Sequence, residues 1–138
     1  MRILDHVIRY AKKRSEDDRL QVGACVVVNG KFTFGTNRWY SLPEGMTREE
    51  VLKDRKLVNQ TITHAEVDAI TKAGDCRGGV IYSSYTPCDK CAKKIADAGI
   101  RLVIAPKMTE PGVIAKWQKY WDIGQAILRE NGVKFEEQ

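Results

Sequence analysis

The apolar residues of this chain change their period several times, and each change marks an element. Ile3, Leu4, Val7, Ile8 and Ala11 recur at helical spacing, so residues 2–14 predict an amphipathic helix. Ser15 to Arg19 is polar and turn-rich. Val22 to Val28 is β-branched and nearly continuous, the pattern of a strand buried on both faces. Asn29-Gly30 is a two-residue hairpin signal, and Lys31 to Thr36, with Phe32 and Phe34 alternating, returns as the antiparallel partner. Residues 37–59 then form a long insertion. Within it Thr47, with Glu50 three residues on, is a capping box and predicts a short helix. Its aromatics, Trp39 and Tyr40, are expected to pack the insertion down.

After the insertion the pattern alternates. Thr63 to Lys72 reads as a helix that stops at Gly74, and Gly79 to Tyr85 as a strand. Cys88 to Ala98 is a helix with Gly99 just past its end, and Arg101 to Ala105 is a short strand closed by Pro106. From Val113 to Glu130 the helical period returns through Ile114, Trp117, Trp121, Ile123, Ile127 and Leu128. Val133 to Phe135 is a last short strand. Trp117 and Trp121, four apart, are expected in the core or at a subunit contact, with substrate contact the minor reading. Helices alternating with strands after a hairpin predict an α/β fold, a three-layer α/β/α sandwich with a mixed five-stranded sheet, in a single domain over 1–138. Such sheets bind ligands at the carboxyl ends of strands, beside helix N-termini.

Composition narrows the class only a little. A chain of 138 residues can bury one sizeable core. Its longest apolar run, Ala24 to Val28, is far too short to cross a bilayer, so no membrane partner is expected. Met1 to His6 lacks a signal-peptide layout, and a cytoplasmic protein is expected. The net charge of +5 suits an anionic partner. The basic residues are interspersed with acids, as in Lys12-Lys13-Arg14 before Glu16-Asp17-Asp18, and no basic arm is present. That anionic partner could be a nucleotide phosphate or a nucleic acid, a solvated surface is the equal alternative, and the interspersed acids weaken the nucleic-acid reading.

The chemistry lies in two short segments. Thr63-His64-Ala65-Glu66 offers an imidazole and a carboxylate; Pro87-Cys88-Asp89-Lys90-Cys91 offers two thiols. The i, i+3 spacing of Cys88 and Cys91 puts both sulfurs on one face at a helix N-terminus, which favours thiolates. Together with His64 they form a three-ligand set, and a fourth position left for water is the arrangement of a catalytic zinc. Two alternatives remain at this point. Cys88 and Cys91 could be a redox pair, or a structural zinc could take its fourth ligand from Cys76 or His6. Glu66, two residues past His64, would point away from it in a regular helix, and only at a helix edge could the two converge. A carboxylate there can move protons between water, a ring nitrogen and a leaving amine. Cys25 reads as core.

His-x-Glu followed by Pro-Cys-x-x-Cys resembles the signature of the zinc-dependent cytidine and deoxycytidylate deaminases. The flanking segments Gln21-Val22-Gly23-Ala24, Gly35-Thr36-Asn37, Ile81 to Thr86 and Ala98-Gly99-Ile100 are similar to that family as well. The resemblance implies hydrolytic deamination of a cytosine nucleotide, foremost dCMP to dUMP, with Zn2+ as cofactor and Glu66 as proton shuttle. Other cytosine species, adenosine in RNA, and a zinc-stabilised binding protein without catalysis are the alternatives. It further implies His64, Cys88 and Cys91 as ligands, and the N–H groups of Ala65 and Cys88 as donors to the base and the water. Asn37 would meet the sugar and Tyr85 the base; Ser15 and Arg19, with Lys90 a weaker candidate, would lie near the phosphate. Thr36 stands where that family usually has tyrosine, and Arg38-Trp39 where glycine is usual. Members of the family are commonly homo-oligomers.

Overall fold

A computed structural model describes residues 2–138. Helix α1 (Ile3–Arg14) leads into β1 (Gly23–Val28) and β2 (Lys31–Thr36). The hairpin turn between them places Asn29 at φ 52° and Gly30 at φ 74°, the left-handed pair that an Asn-Gly turn supplies. The insertion carries α2 (Arg48–Leu52) and α3 (Arg55–Thr61). There follow α4 (Ala65–Ala73), β3 (Val80–Ser83), α5 (Asp89–Asp97), β4 (Leu102–Ala105), α6 (Pro111–Glu130) and β5 (Lys134–Glu137). The five strands form one sheet in the order β2-β1-β3-β4-β5, with β1 antiparallel to both β2 and β3, and β3, β4 and β5 parallel to one another. This is the expected mixed α/β architecture.

Register decides which side chains share a face. Gly35, Ala24 and Ser83 lie side by side across three strands, as do Val26 and Ile81 with Val103. The second row packs in one cluster with Ala65 and Ala69 of α4 and Ala92 and Ile95 of α5. The opposite face, through Cys25 and Phe34, is covered by α1, whose Tyr10 ring lies 5.4 Å from that of Phe34. Cys25 is fully buried, as expected. Gly35 lets β2 and α4 touch backbone to backbone: a Cβ there would stand 2.7 Å from the Ala65 carbonyl oxygen and clash with the Ala69 amide. That close approach seats the start of α4 against the sheet.

The insertion is more ordered than its sequence suggests. Thr47 caps α2 with the reciprocal Glu50 bonds expected of a capping box. The second helix, α3, was not predicted; it is only seven residues long, and Asp54 starts it by accepting from the Leu57 N–H. Trp39, Val51 and Val58 form a small second core. Trp39 donates from Nε1 to Thr61 Oγ1 at 2.9 Å, and the Tyr40 hydroxyl donates to Asp68 Oδ1 at 2.5 Å. Glu16 ties the segment back, accepting from the Trp39 N–H and pairing with Arg38 and Arg48. Among the described residues no helix is long and apolar enough to cross a membrane.

Candidate active site

The start of α4 resolves how His64 and Glu66 converge. His64 is the N-cap of the helix, with extended backbone at φ −70° and ψ 153°. The step from His64 to Glu66 is therefore not two residues of helical rotation, and both side chains line one cleft. Helix α5 opens in the same way: Cys88 is its N-cap at φ −73° and ψ 176°, and Cys91 lies in its first turn. His64 Nδ1 lies 3.1 Å from Cys91 Sγ and 3.6 Å from Cys88 Sγ, and the three donor atoms all lie within 4.8 Å of one another.

The donor set fits zinc, with the His64–Cys88 separation in the range a zinc site needs and the His64–Cys91 separation shorter. Nitrogen and sulfur ligands at about 2.0–2.3 Å from a tetrahedral zinc stand roughly 3.5–3.8 Å apart. Among the described residues no fourth His, Cys, Asp or Glu joins the group, so neither Cys76 nor His6 completes a closed site. The donor chemistry agrees. The Cys88 thiol is pulled down to about 4, first by its hydrogen bond with Cys91 and also by His64. Cys91, the other member of that bond, is pushed well up. His64 is raised chiefly by its bond to Cys88. Metal ligation needs thiolates and a neutral imidazole, so a cation bound by this set would displace the protons its donors hold.

Glu66 is only 4% exposed, and burial, followed by the charge on Cys88, raises its carboxyl to about 7. A carboxyl in that range can both take and give a proton near neutral pH. Ala65 is the first residue of α4 and also lines the cleft. Its N–H belongs to the first helical turn, where donors have no partner within the helix.

The cleft is open at its mouth and encloses about 640 Å³ with the solvent space there included. Its further walls come from distant parts of the chain: Asp17, Asn37, Asn59, Tyr85, Trp117 and Trp121. Asn37 and Tyr85 thus line the same cleft as His64 and Glu66. Ser15 lies behind Asn37, giving its hydroxyl proton to Asn37 Oδ1 at 2.6 Å. Asn37 also accepts from the Val22 N–H and donates to the Leu20 carbonyl, so its amide braces the loop before β1. Arg19 lines a neighbouring cleft together with Lys12, Gln21, Ser84 and Lys107, and the two clefts share Tyr85. Glu110 is the one acid in that second lining. Among the described residues Lys12, Arg19 and Lys107 enter no ion pair.

Of two further contributions, the sequence does not single out Asp17 and offers the tryptophans of α6 only as a minor reading. The tryptophans of α6 reach the cleft because the helix crosses close behind the Cys88 turn. A Cβ on Gly124 would stand 2.7 Å from the Pro87 carbonyl oxygen and 3.0 Å from that of Cys88. A glycine interrupting a strong helical pattern was the available signal. The other is Asp17, 2% exposed, whose oxygens accept from Arg55 at 2.6 and 2.8 Å and from the Arg19 N–H at 3.1 Å.

The Asp17 pair makes a pH-dependent contribution to stability. Burial acts to raise the carboxyl, but the bonds from Arg55 and the backbone outweigh it and hold it below the ordinary range. A depressed folded value means the stabilisation is present above the unfolded value of about 3.9 and is lost as pH falls through the folded one. Asp17→Asn is expected to cost about 2 kcal/mol at pH 7, the scale of a hydrogen bond to a charged group. Thermal melts of variant and parent should converge as the pH falls through the folded value of Asp17; a constant gap would contradict the assignment.

Comparison with known proteins bears on this geometry. Residues 1–107 match the family described as the cytidine and deoxycytidylate deaminase zinc-binding region. Over 101 residues the chain is 34% identical to the deoxycytidylate deaminase of Homo sapiens, a match that covers 67% of this chain and 56% of that protein. The chain spans about half the length of the curated relatives it matches. The apo crystal structure of the dCMP deaminase from cyanophage S-TIM5 is 25% identical, with a TM-score of 0.66 and full coverage of both chains. The same phage enzyme in complex with dCMP and dUMP, at 24% identity, shares the fold with a TM-score of 0.71 over 99% of this chain and 93% of that one.

Proposed function

Because the chain belongs to the cytidine and deoxycytidylate deaminase zinc-binding family, we propose that it removes the 4-amino group of a cytosine nucleotide by hydrolysis, foremost converting dCMP to dUMP. The observation that carries this reading is the buried Glu66 beside a three-donor set in an open cleft. His64, Cys88 and Cys91 would hold zinc, which when bound supplies an acidified water at neutral pH.

The chain's own residues do the rest. Glu66 accepts a proton from the attacking water as its oxygen bonds to C4 of the base. It passes that proton to N3, then takes the proton left on the C4 hydroxyl and delivers it to the departing amine as the C4–N4 bond breaks, so that water and cytosine become uracil and ammonia. The Ala65 N–H, free in the first turn of α4, would hold the base carbonyl. Tyr85, Trp117 and Trp121 give the base an aromatic enclosure that excludes water. A nucleoside monophosphate is favoured over a free nucleoside by the adjoining cleft. There Lys12, Arg19 and Lys107 gather unpaired positive charge beside Tyr85. Asn37, braced by Ser15, keeps one Nδ2 hydrogen for the sugar.

Ammonia release from zinc-loaded protein tests the reading. The panel is cytosine, cytidine, dCMP, dCTP, a 5-substituted dCMP and a tRNA anticodon stem. Turnover is expected to be fastest on dCMP. Silence across the panel would overturn the enzymatic reading, and preference for unphosphorylated cytidine would overturn the monophosphate assignment.

A further inference from the structure

The segment between α1 and β1, residues 15–22, has no regular secondary structure, yet it walls both clefts. Asp17 and Leu20 line the first, Arg19 and Gln21 the second. Side chains hold much of its backbone. The Asp17 N–H donates to Ser15 Oγ, the Arg19 N–H to Asp17 Oδ1 and the Val22 N–H to Asn37 Oδ1. Of these acceptors Asp17 alone also reaches α3. Arg55 Nη1 and Nη2 donate to its two oxygens at 2.6 and 2.8 Å, a guanidinium fork on a carboxylate. Among the described residues that guanidinium makes no other hydrogen bond, and its Nε is enclosed without a partner. Arg55 opens α3, and Val58, one turn on, is fully buried with Trp39 and Val51. The fork therefore extends from a packed support onto a segment with little support of its own.

Asp17 is 2% exposed, and a buried carboxylate stripped of its partner is costly. An irregular segment can shed that cost by turning the carboxylate out to water, and the bond to the Arg19 N–H then goes with it. We propose that Arg55 is a positioning residue for the nucleotide: by clamping Asp17 it fixes residues 15–20 and so places Arg19 in the cleft that takes the phosphate. The proposal rests on the monophosphate reading for its kinetic consequence but not for the clamp itself. The adjacent acid supplies a contrast. Glu16 also meets an arginine of the insertion, Arg48, but that side chain is 52% exposed, and exposed pairs contribute little.

Two measurements on the zinc-loaded protein decide it. In steady-state kinetics Arg55→Ala is expected to raise KM for dCMP about tenfold, with kcat within about twofold of the parent. Arg55→Lys keeps the charge but not the fork and should recover only part of the loss. Arg48→Ala takes an equal charge from the same insertion and should keep the parent KM. An equal rise there would reveal a long-range charge effect and overturn the clamp. A lower melting temperature with an unchanged KM in Arg55→Ala would make the residue purely structural and overturn the proposal as well. The second measurement needs no turnover. Hydrogen exchange read by mass spectrometry should find the amides of residues 16–22 exchanging about tenfold faster in Arg55→Ala, with α4 and α5 as in the parent. Unchanged exchange in that segment, or acceleration spread over the whole chain, would sink the clamp. Silence of the parent on every substrate would count against the deaminase reading alone, with the exchange still deciding Arg55.

Discussion

Glu66→Gln is expected to lower kcat on dCMP by about 10³-fold, close to 4 kcal/mol in barrier, while zinc stays at one per chain and KM changes little. Glutamine keeps the size and the hydrogen-bonding outline of the side chain but cannot take up or release a proton. The structure makes this a clean test. Glu66 is not among the three donors that sit together, so its loss should not release metal. It is buried in the cleft at the point where His64 and Cys88 meet, so no exposed acid is at hand to replace it. Steady-state ammonia release with metal analysis on the same sample checks it. A variant that retained turnover would show that another group moves the protons.

Cys88→Ala should remove the metal and, with it, both activity and a large part of the stability. Cys88 carries the most acidic thiol of the site and caps α5, so it is the donor most ready for a cation. A ligand at a thousandfold over its Kd stabilises the folded chain by about 4 kcal/mol. For a chain of this size that corresponds to a melting temperature lower by roughly 10 °C. The parent treated with a chelator should melt where the variant does, and zinc should restore the parent alone. If the variant kept stoichiometric zinc, Cys88 would not be a ligand.

Much of the site was legible because its residues are close in sequence. His64 and Glu66 are separated by one residue, and Cys88 and Cys91 by two, so local spacing alone pointed to their chemistry. The hairpin was legible for the same reason: Asn29-Gly30 permits the left-handed turn without help from the rest of the chain. Helix α3 was not, because two turns hold too few apolar positions for a period, and Trp39 from outside the helix completes its core. Nor was the lining of the cleft. Asp17, Asn59, Trp117 and Trp121 reach it from three separate segments, and helical spacing in α6 cannot say what the helix packs against.

The opposite-face difficulty between His64 and Glu66 shows where the division falls. By itself the sequence determined the donor types, their order and the alternation of helix and strand, since these depend on residue identity and local period. Only the tertiary structure decided that His64 caps α4 instead of joining it, and that α4 and α5 bring their N-termini together. It also decided that Gly35 and Gly124 bring backbones close enough to close the cleft. The physical reason is that these outcomes are set by packing between segments far apart in the chain. A short-range pattern of polar and apolar residues carries no record of that packing.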